Sequence, residues 1–249
     1  MDKFYELLKE NKREILDKFS YYTKRFQNIS YEMILKKYSR ELDSGVFPRI
    51  LEKRYPIIEG LKTTVLYTIA DRNELGQISL ASTCYVEDKI NPSKIWILYE
   101  TEHQLYKVEK TSFFCITKHY LDRFEERNPT FKLFVGNSKE AAAIDLGLAL
   151  EKRLAFFVNI DLISDMPNYE EKKKDIINFI ELIKEVEPDL YKYFSLEKST
   201  GILRTMDGYG IYKVEDTKKI VMMTWLSEKM LTNNQRRAFQ YLTPEKSLY

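Results

Sequence analysis

Four short segments between residues 63 and 116 constrain the fold of this chain most. The predicted strands are Thr63–Ile69, Gln77–Glu87, Lys94–Glu100 and Leu105–Ile116. All four are rich in β-branched and aromatic side chains, which suit the pleated, half-buried surface of a sheet. The connections between them are short and polar, as in the turn from Asp71 to Gly76 and the loop-like stretch around His103. Because short connections join antiparallel neighbours, the pattern predicts an antiparallel meander.

Helical patterns precede the meander. Over residues 2–27 apolar side chains recur every three or four positions and are interrupted only at Asn11, which predicts one long amphipathic helix. A second helix is predicted over residues 31–42, and a single helical turn from Leu51 to Tyr55, ahead of Pro56. The N-terminal region is therefore expected to be helical as far as about residue 60.

Helical patterns also follow the meander. The predicted helices are His119–Arg127, Asn137–Lys152 and Asn168–Glu187. The first should stop before Pro129, whose ring disfavours a helical residue ahead of it. Asn137 and Glu140 have the spacing of a capping box at the start of the second. Residues 154–163 are apolar and β-rich but follow without a break, so their pattern fits a helix and a strand alike.

Strand patterns return near the C-terminus, over residues 200–206, 209–215 and 219–226, and Ser227 has the character of a helix cap. The predicted fold class is α+β. We expect one domain over residues 1–249, because no Pro/Gly/Ser-rich linker interrupts the chain. It comprises a helical region (1–60), a β-meander (61–118), a helical segment (119–195) and C-terminal strands with a helix (200–249). Whether the two strand groups share one sheet stays open.

The charge balance limits the kinds of partner. The net charge is +2, from 40 basic and 38 acidic residues, which argues against a nucleic-acid binder that relies on bulk charge. Any anion site must be local. The first 55 residues hold 13 Lys or Arg against 9 Asp or Glu, a mild basic excess. No apolar run reaches the ~20 residues needed to cross a bilayer, and no signal peptide is evident. We therefore expect a cytoplasmic protein, with Cys84 and Cys115 as buried free thiols rather than as a disulfide, the alternative.

Several common kinds of active site are not indicated. The chain has no Gly-rich phosphate loop, His-Glu-x-x-His, paired Cys-x-x-Cys or Gly-x-Ser-x-Gly motif. No cofactor and no metal are expected. Pro188-Asp189 followed by Asp216-Thr217-Lys218 superficially resembles a metal-dependent nuclease motif. However, the first pair lies in helical sequence and Asp216 in a hairpin turn, whereas carboxylate ligands must converge on the ion.

The segment from His119 to Arg127 is the one that suggests chemistry. At 100° per residue, His119, Arg123 and Arg127 form a basic stripe. An apolar stripe and an acidic stripe complete the helix. A basic stripe of this kind can hold a phosphate, and a histidine can move a proton beside it. The structural alternative is a helix that covers a sheet and whose arginines bind carboxylates or carbonyls of their own chain. In that reading Arg123 pairs with Glu126, three residues later.

This segment resembles the conserved helix of small uncharacterised bacterial families of the barnase–EndoU–colicin–RelE superfamily of metal-independent ribonucleases and toxins. The likeness rests on His119, Arg123 and Arg127, and on the late strand that contains Thr224. It covers His119–Arg127 and roughly Gly201–Ser227, less than a quarter of the chain. The long helical insert between these parts and the N-terminal region depart from the family pattern.

The resemblance implies a bacterial or phage-type protein that cleaves RNA phosphodiesters through the 2′-hydroxyl. His119 would act as general acid or base, because histidine titrates near neutral pH. Arg123 and Arg127 would hold the scissile phosphate. Thr224, with Tyr212 as a second candidate, would donate a hydrogen bond. No second general base is identifiable, so whether the protein is an enzyme stays open.

A non-catalytic module that binds nucleic acid or protein is the alternative function. The apolar stripe of the N-terminal helix, which includes Phe4, Ile15 and Phe19, either packs internally or binds a partner protein, and internal packing is the better interpretation of so regular a stripe. The run from Tyr21 to Phe26 mixes aromatic and basic residues, as some RNA-binding surfaces do. A coding bias toward Lys and Tyr explains that mixture equally well.

Overall fold

The structure is a computed structural model. It describes residues 2–27, 31–43, 49–72, 78–103, 108–128, 137–151, 169–186, 188–191, 200–206, 208–216, 218–233 and 236. The chain divides into two compact units. Unit 1 comprises Met1–Leu98 and Pro129–Leu148, and unit 2 comprises Tyr99–Asn128 and Ala149–Tyr249. The single domain expected from the sequence stays a prediction.

The described helices and strands confirm the predicted α+β class. The helices are α1 (Lys3–Glu10), α2 (Lys12–Gln27), α3 (Tyr31–Asp43), α4 (Lys118–Arg127), α5 (Ser138–Glu151), α6 (Tyr169–Val186) and α7 (Pro188–Tyr191), and a 3₁₀ turn covers Glu228–Met230. The strands are β1 (Arg49–Arg54), β2 (Ile57–Ile58), β3 (Leu61–Arg72), β4 (Ile78–Glu87), β5 (Ile95–His103), β6 (Val108–Ile116), β7 (Thr200–Arg204), β8 (Gly208–Asp216) and β9 (Lys219–Ser227).

The described strands form one sheet in the order β1-β3-β4-β5-β6-β9-β8-β7, with β2 paired to β3. The predicted meander is present as β3 to β6. The two strand groups join where β6 pairs in parallel with β9, with Phe113 opposite Lys219 and Ile116 opposite Met222. The other strand pairs for which a register is resolved are antiparallel.

The prediction of one continuous helix over residues 2–27 was wrong, because the chain breaks at Asn11 between α1 and α2. The side-chain amide of Asn11 donates to the carbonyl of Leu7 (2.8 Å), which is the local competition that makes asparagine unfavourable inside helices. The main chain remains close to helical on both sides, since the amide of Ile15 still donates to the carbonyl of Asn11 (3.0 Å). The apolar stripe therefore continues across the break.

Two further assignments needed correction. The segment predicted as a helical turn from Leu51 to Tyr55 belongs largely to strand β1, where Arg54 lies opposite Val65. Pairing with β3 outweighs the weak local helical signal. His103, expected in a loop, lies at the end of strand β5. Residues 154–163 and Asn168, the predicted start of the last helix, lie outside the described residues.

The other predicted helix ends that fall in the described part of the chain are confirmed. The amide of Glu140 donates to the Asn137 side chain (3.0 Å), and the amide of Asn137 donates back to the Glu140 carboxylate (3.4 Å), which is the predicted capping box. Helix α4 ends at Arg127, ahead of Pro129. Ser227 caps the short 3₁₀ turn by accepting from the amide of Lys229. Local capping chemistry was thus correctly predicted from the sequence.

Unit 1 should lose stability in acid because two partly buried carboxylates are tied to cations. Burial raises the pKa of Glu52, but hydrogen bonds from Tyr38 and Lys37 outweigh it and hold the pKa below its ordinary value of 4.5. Burial also raises the pKa of Glu87, but hydrogen bonds from Lys62 and Lys139 outweigh this effect and hold the pKa below 4.5. A carboxyl group whose pKa is lowered by folding stabilises the folded protein at pH values above its unfolded-state pKa. This stabilisation is lost as the pH falls through its folded-state pKa.

We therefore expect the urea midpoint of the protein to fall as the pH drops below about 4.5. The decline should be shallower in Glu87→Gln, which has no carboxylate to protonate at this position. Glu59→Gln, in an exposed turn, is the matched control and should keep the wild-type profile. An identical pH profile for wild type and Glu87→Gln would contradict the role given to this carboxylate.

Candidate functional site

Helix α4 begins at a defined cap beside strand β9. The hydroxyl of Thr117 accepts from the amide of Tyr120 (3.2 Å) and donates to the carbonyl of Met222 (2.8 Å). One side chain therefore both caps the helix and attaches its start to β9. His119 is the second residue of the helix, and its side chain is exposed.

The predicted apolar stripe of α4 is confirmed and packs within unit 2. Tyr120, Leu121 and Phe124 are buried. The ring of Phe124 meets that of Trp225 on β9 in an edge-to-face contact, with centroids 5.2 Å apart and planes at 72°. Gly210 on β8 leaves room for the ring of Tyr120, whose Cε2 lies 3.2 Å from where a Cβ would stand. Helix α4 is thus a covering helix on β8 and β9.

The charged side chains on the outward side of α4 form ion pairs with each other. The Lys118 ammonium lies 2.6 Å from the Asp122 carboxylate, and the Arg123 guanidinium lies 2.6 Å from the Glu126 carboxylate. The predicted partnership between Arg123 and Glu126 is confirmed. These exposed pairs leave little net positive charge beside His119, so the basic stripe offers a weak anion site.

Arg127 supports the main chain of β9. Its guanidinium Nη1 donates to the carbonyl of Trp225 (3.3 Å), and its side chain is only 19% exposed. The registered pairing of β6 with β9 ends at Met222, so this arginine serves a carbonyl beyond the end of the neighbouring strand. Arg127 therefore has the structural role considered for this helix, in which an arginine binds a carbonyl of its own chain.

The structure does not place Thr224 and Tyr212 beside the outer face of α4. Trp225 contacts α4, and successive strand residues point to opposite faces of a sheet, so Thr224 faces away from the helix. Thr224 is half-buried opposite Ile211. Tyr212 is fully buried, and its ring and hydroxyl fill the space beside Gly201. The structure thus does not bring these two side chains together with His119, and their catalytic roles stay a prediction.

A second candidate surface lies on α2, whose inner side is fixed to the sheet of unit 1. The hydroxyl of Tyr67 donates to the carbonyl of Tyr22 (2.8 Å), and the ring of Phe26 stacks on that of Tyr67 with centroids 4.1 Å apart. The hydroxyl of Ser82 donates to that of Thr23 (2.9 Å). Phe26 is buried, as are Phe4, Ile15 and Phe19 of the same stripe. The expected internal packing of the N-terminal stripe is therefore confirmed.

The outer side of α2 carries a set of exposed residues that we call the α2 basic surface. Its members are Lys18, Tyr21, Lys24 and Arg25. Tyr21 is 59% exposed, and its ring rests edge-on against Tyr22, with centroids 5.4 Å apart. The three cations lie three or four positions from Tyr21, as does the exposed carboxylate of Asp17, so these four charged side chains lie around it on the helix.

No family model, curated protein or solved structure matches this chain. The ribonuclease resemblance stays a prediction.

Charge distinguishes the α2 basic surface from α4. Helix α2 holds five Lys or Arg and two Asp or Glu, a net charge of +3, whereas the whole chain carries +2. From Lys18 to Gln27 there are three cations and no carboxylate. Within the described ranges, no carboxylate lies within ion-pair distance of Lys18, Lys24 or Arg25. The sequence signal for this surface was the aromatic and basic mixture of residues 21–26, but the separation of its two sides appears only in the structure.

Other kinds of site have little support in the described part of the chain. No group of three or more His, Cys, Asp or Glu residues there is arranged to hold a metal ion. Cys84 and Cys115 are free thiols, as expected, with Cys115 buried and Cys84 half-buried. None of the described helices is long and apolar enough to span a bilayer.

Proposed function

We propose that this protein binds RNA without cleaving it, through the α2 basic surface. The observation that carries the proposal is the exposed Tyr21, which has three cations (Lys18, Lys24 and Arg25) and one carboxylate (Asp17) around it on a helix of net charge +3. Cations that neutralise phosphates supply most of the affinity for nucleic acid and make it dependent on salt. An aromatic side chain among them adds a contact that depends little on base sequence.

The near-neutral charge of the chain is compatible with this function because the basic excess is local. Outside α2 the remainder of the chain has a net charge of −1. An RNA backbone is therefore attracted to one side of unit 1 rather than to the whole protein. We expect modest affinity, since only three cations take part.

Binding without cleavage is favoured by the arrangement of α4. Arg123 is paired with Glu126, Arg127 serves the carbonyl of Trp225, and Tyr212 is buried. His119 is the exposed histidine of that helix, and catalysis at a phosphodiester also needs a second proton-transfer group and a stabiliser of the extra charge.

Replacing Lys24 and Arg25 together by glutamine should weaken RNA binding about tenfold or more at low salt. Each neutralised phosphate contributes about 0.7 to the slope of log affinity against log salt for a single strand, so the slope should flatten by about 1.4. Fluorescence anisotropy with a labelled RNA of about 12 nucleotides, a length within the usual site sizes, measures both quantities.

The matched control is the double variant Lys89→Gln and Lys229→Gln, which removes two exposed lysines elsewhere and so changes the net charge equally. Thermal unfolding checks that both variants fold, because cations in the last turn also interact with the helix dipole. An equal loss of affinity in both variants, or an affinity that does not depend on salt concentration, would contradict the proposal.

The ribonuclease hypothesis is tested on the same samples. The RNA is incubated with the protein in EDTA and its length is followed by gel electrophoresis. We expect it to stay intact with wild type. Cleavage in EDTA that His119→Ala abolishes would instead support the metal-independent nuclease.

A further inference from the structure

We infer that the α2 basic surface selects single-stranded over double-stranded nucleic acid, by stacking an unpaired base on Tyr21. This inference rests on the proposed function and names its ligand class. The supporting feature is one short stretch of α2 with two different sides. One side is anchored to the sheet, and the other exposes the ring of Tyr21 near cations.

The anchored side holds the main chain next to Tyr21. Tyr22 and Thr23, the two residues that follow it, are held by Tyr67 and Ser82 through hydrogen bonds of 2.8 and 2.9 Å. Phe26, one helical turn further on, is buried against Tyr67. Because the helix is attached at Tyr22, Thr23 and Phe26, the main chain that carries Tyr21 is already ordered, and less order must be gained on binding.

The outward side has the two components of a single-strand site. A tyrosine ring offers a face on which any base can stack, and that contact is tolerant of sequence. Lys18 lies one turn before Tyr21, and Lys24 and Arg25 lie one turn after it. A strand that follows the helix axis can therefore place phosphates near both groups of cations while one base covers the ring. A duplex keeps its bases stacked internally, so it can use only the cations.

The first measurement compares wild type with Tyr21→Ala and Tyr21→Phe. The ligands are one RNA oligonucleotide alone and the same oligonucleotide annealed to its complement. We expect wild type to prefer the single strand and Tyr21→Ala to lose about tenfold in affinity for it. The duplex affinity and the salt slope should not change, since no charge is removed. Tyr21→Phe keeps the ring and should behave as wild type.

A second readout reports stacking directly. Tyr21→Trp places an indole at the exposed position, while the natural Trp96 and Trp225 are fully buried. Stacking of a base on the new indole should quench its fluorescence on titration with single-stranded RNA. The duplex should leave the emission unchanged. Alanine favours helices more than tyrosine does, so loss of folding is not expected in Tyr21→Ala.

The outcomes separate this inference from the proposed function. If the Lys24 and Arg25 variant loses affinity but Tyr21→Ala and Tyr21→Trp show no effect, the surface binds RNA through charge alone and the stacking inference is wrong. If none of these variants has an effect, both proposals fail. Binding to anionic phospholipid vesicles with no binding to single-stranded RNA overturns both in favour of a lipid surface.

Discussion

Replacing Trp225 by alanine should destabilise the protein by about 3–5 kcal/mol, the usual cost of removing a large buried aromatic side chain. Trp225 is fully buried. It contacts the ring of Phe124 on α4, and its indole N–H donates to the hydroxyl of Thr205 (3.3 Å). The substitution therefore opens a cavity under α4 and also leaves a polar group without its partner. Urea unfolding monitored by circular dichroism measures the loss.

His119→Ala is the control variant, because the side chain of His119 lies on the side of α4 that faces away from Trp225. If α4 serves mainly to cover β8 and β9, this exposed substitution should change stability by no more than about 0.5 kcal/mol. A small effect of Trp225→Ala, similar to that of His119→Ala, would mean that α4 does not cover this part of the sheet.

The sequence was most informative where local chemistry decides the structure. The cap at Asn137 with Glu140 and the stop of α4 before Pro129 both depend on residues within one helical turn. The stripe of α4 was also correct, because a period of 3.6 residues can be recognised over ten positions. By contrast, β1 was missed because its strand character comes from pairing with β3, which local propensity does not encode.

Whether the expected site residues lie together depends on geometry that one sequence cannot show. Which face Thr224 occupies depends on strand register, and the pairing of β8 with β9 shifts between Ile211 and Tyr212, so that Met223 is an extra residue. A bulge of one residue reverses the facing of every side chain beyond it. A threonine near the end of a late strand can therefore face either side of the sheet. The resemblance fixed its position along the chain but not its face.

The joining of the two strand groups was open for a related reason. Cys115 on β6 lies opposite Val221 on β9, more than 100 positions later in the chain. No local signal records such a parallel contact, and loop length gives no guide when a long helical segment intervenes. The α2 basic surface was visible as a mixture of residue types, but only the contacts of Tyr22 and Phe26 with Tyr67 show which residues face outward.

Replacing Asp88 by alanine should cost about 3 kcal/mol or more in stability, since hydrogen bonds to a charged group are each worth about 1.5–3 kcal/mol. Its buried carboxylate accepts from the amides of Ile90 (2.9 Å) and Asn91 (2.8 Å) with one oxygen. The other oxygen accepts from the indole N–H of Trp96 (3.1 Å), which is itself fully buried. Alanine would leave three donors without their acceptor. Thermal and urea unfolding of the purified variant give the loss.

Two variants show whether the carboxylate itself is responsible. Asp88→Asn keeps one oxygen for the two loop amides but cannot accept from Trp96 in the same way, so it should lose about 1–3 kcal/mol, the cost of one unsatisfied buried donor. Lys89→Ala changes an exposed side chain in the same loop and should stay within about 0.5 kcal/mol of wild type. If Asp88→Ala proves no more harmful than Lys89→Ala, the carboxylate does not hold the loop between β4 and β5. Its bonds to Ile90, Asn91 and Trp96 would then contribute little to the folding of unit 1.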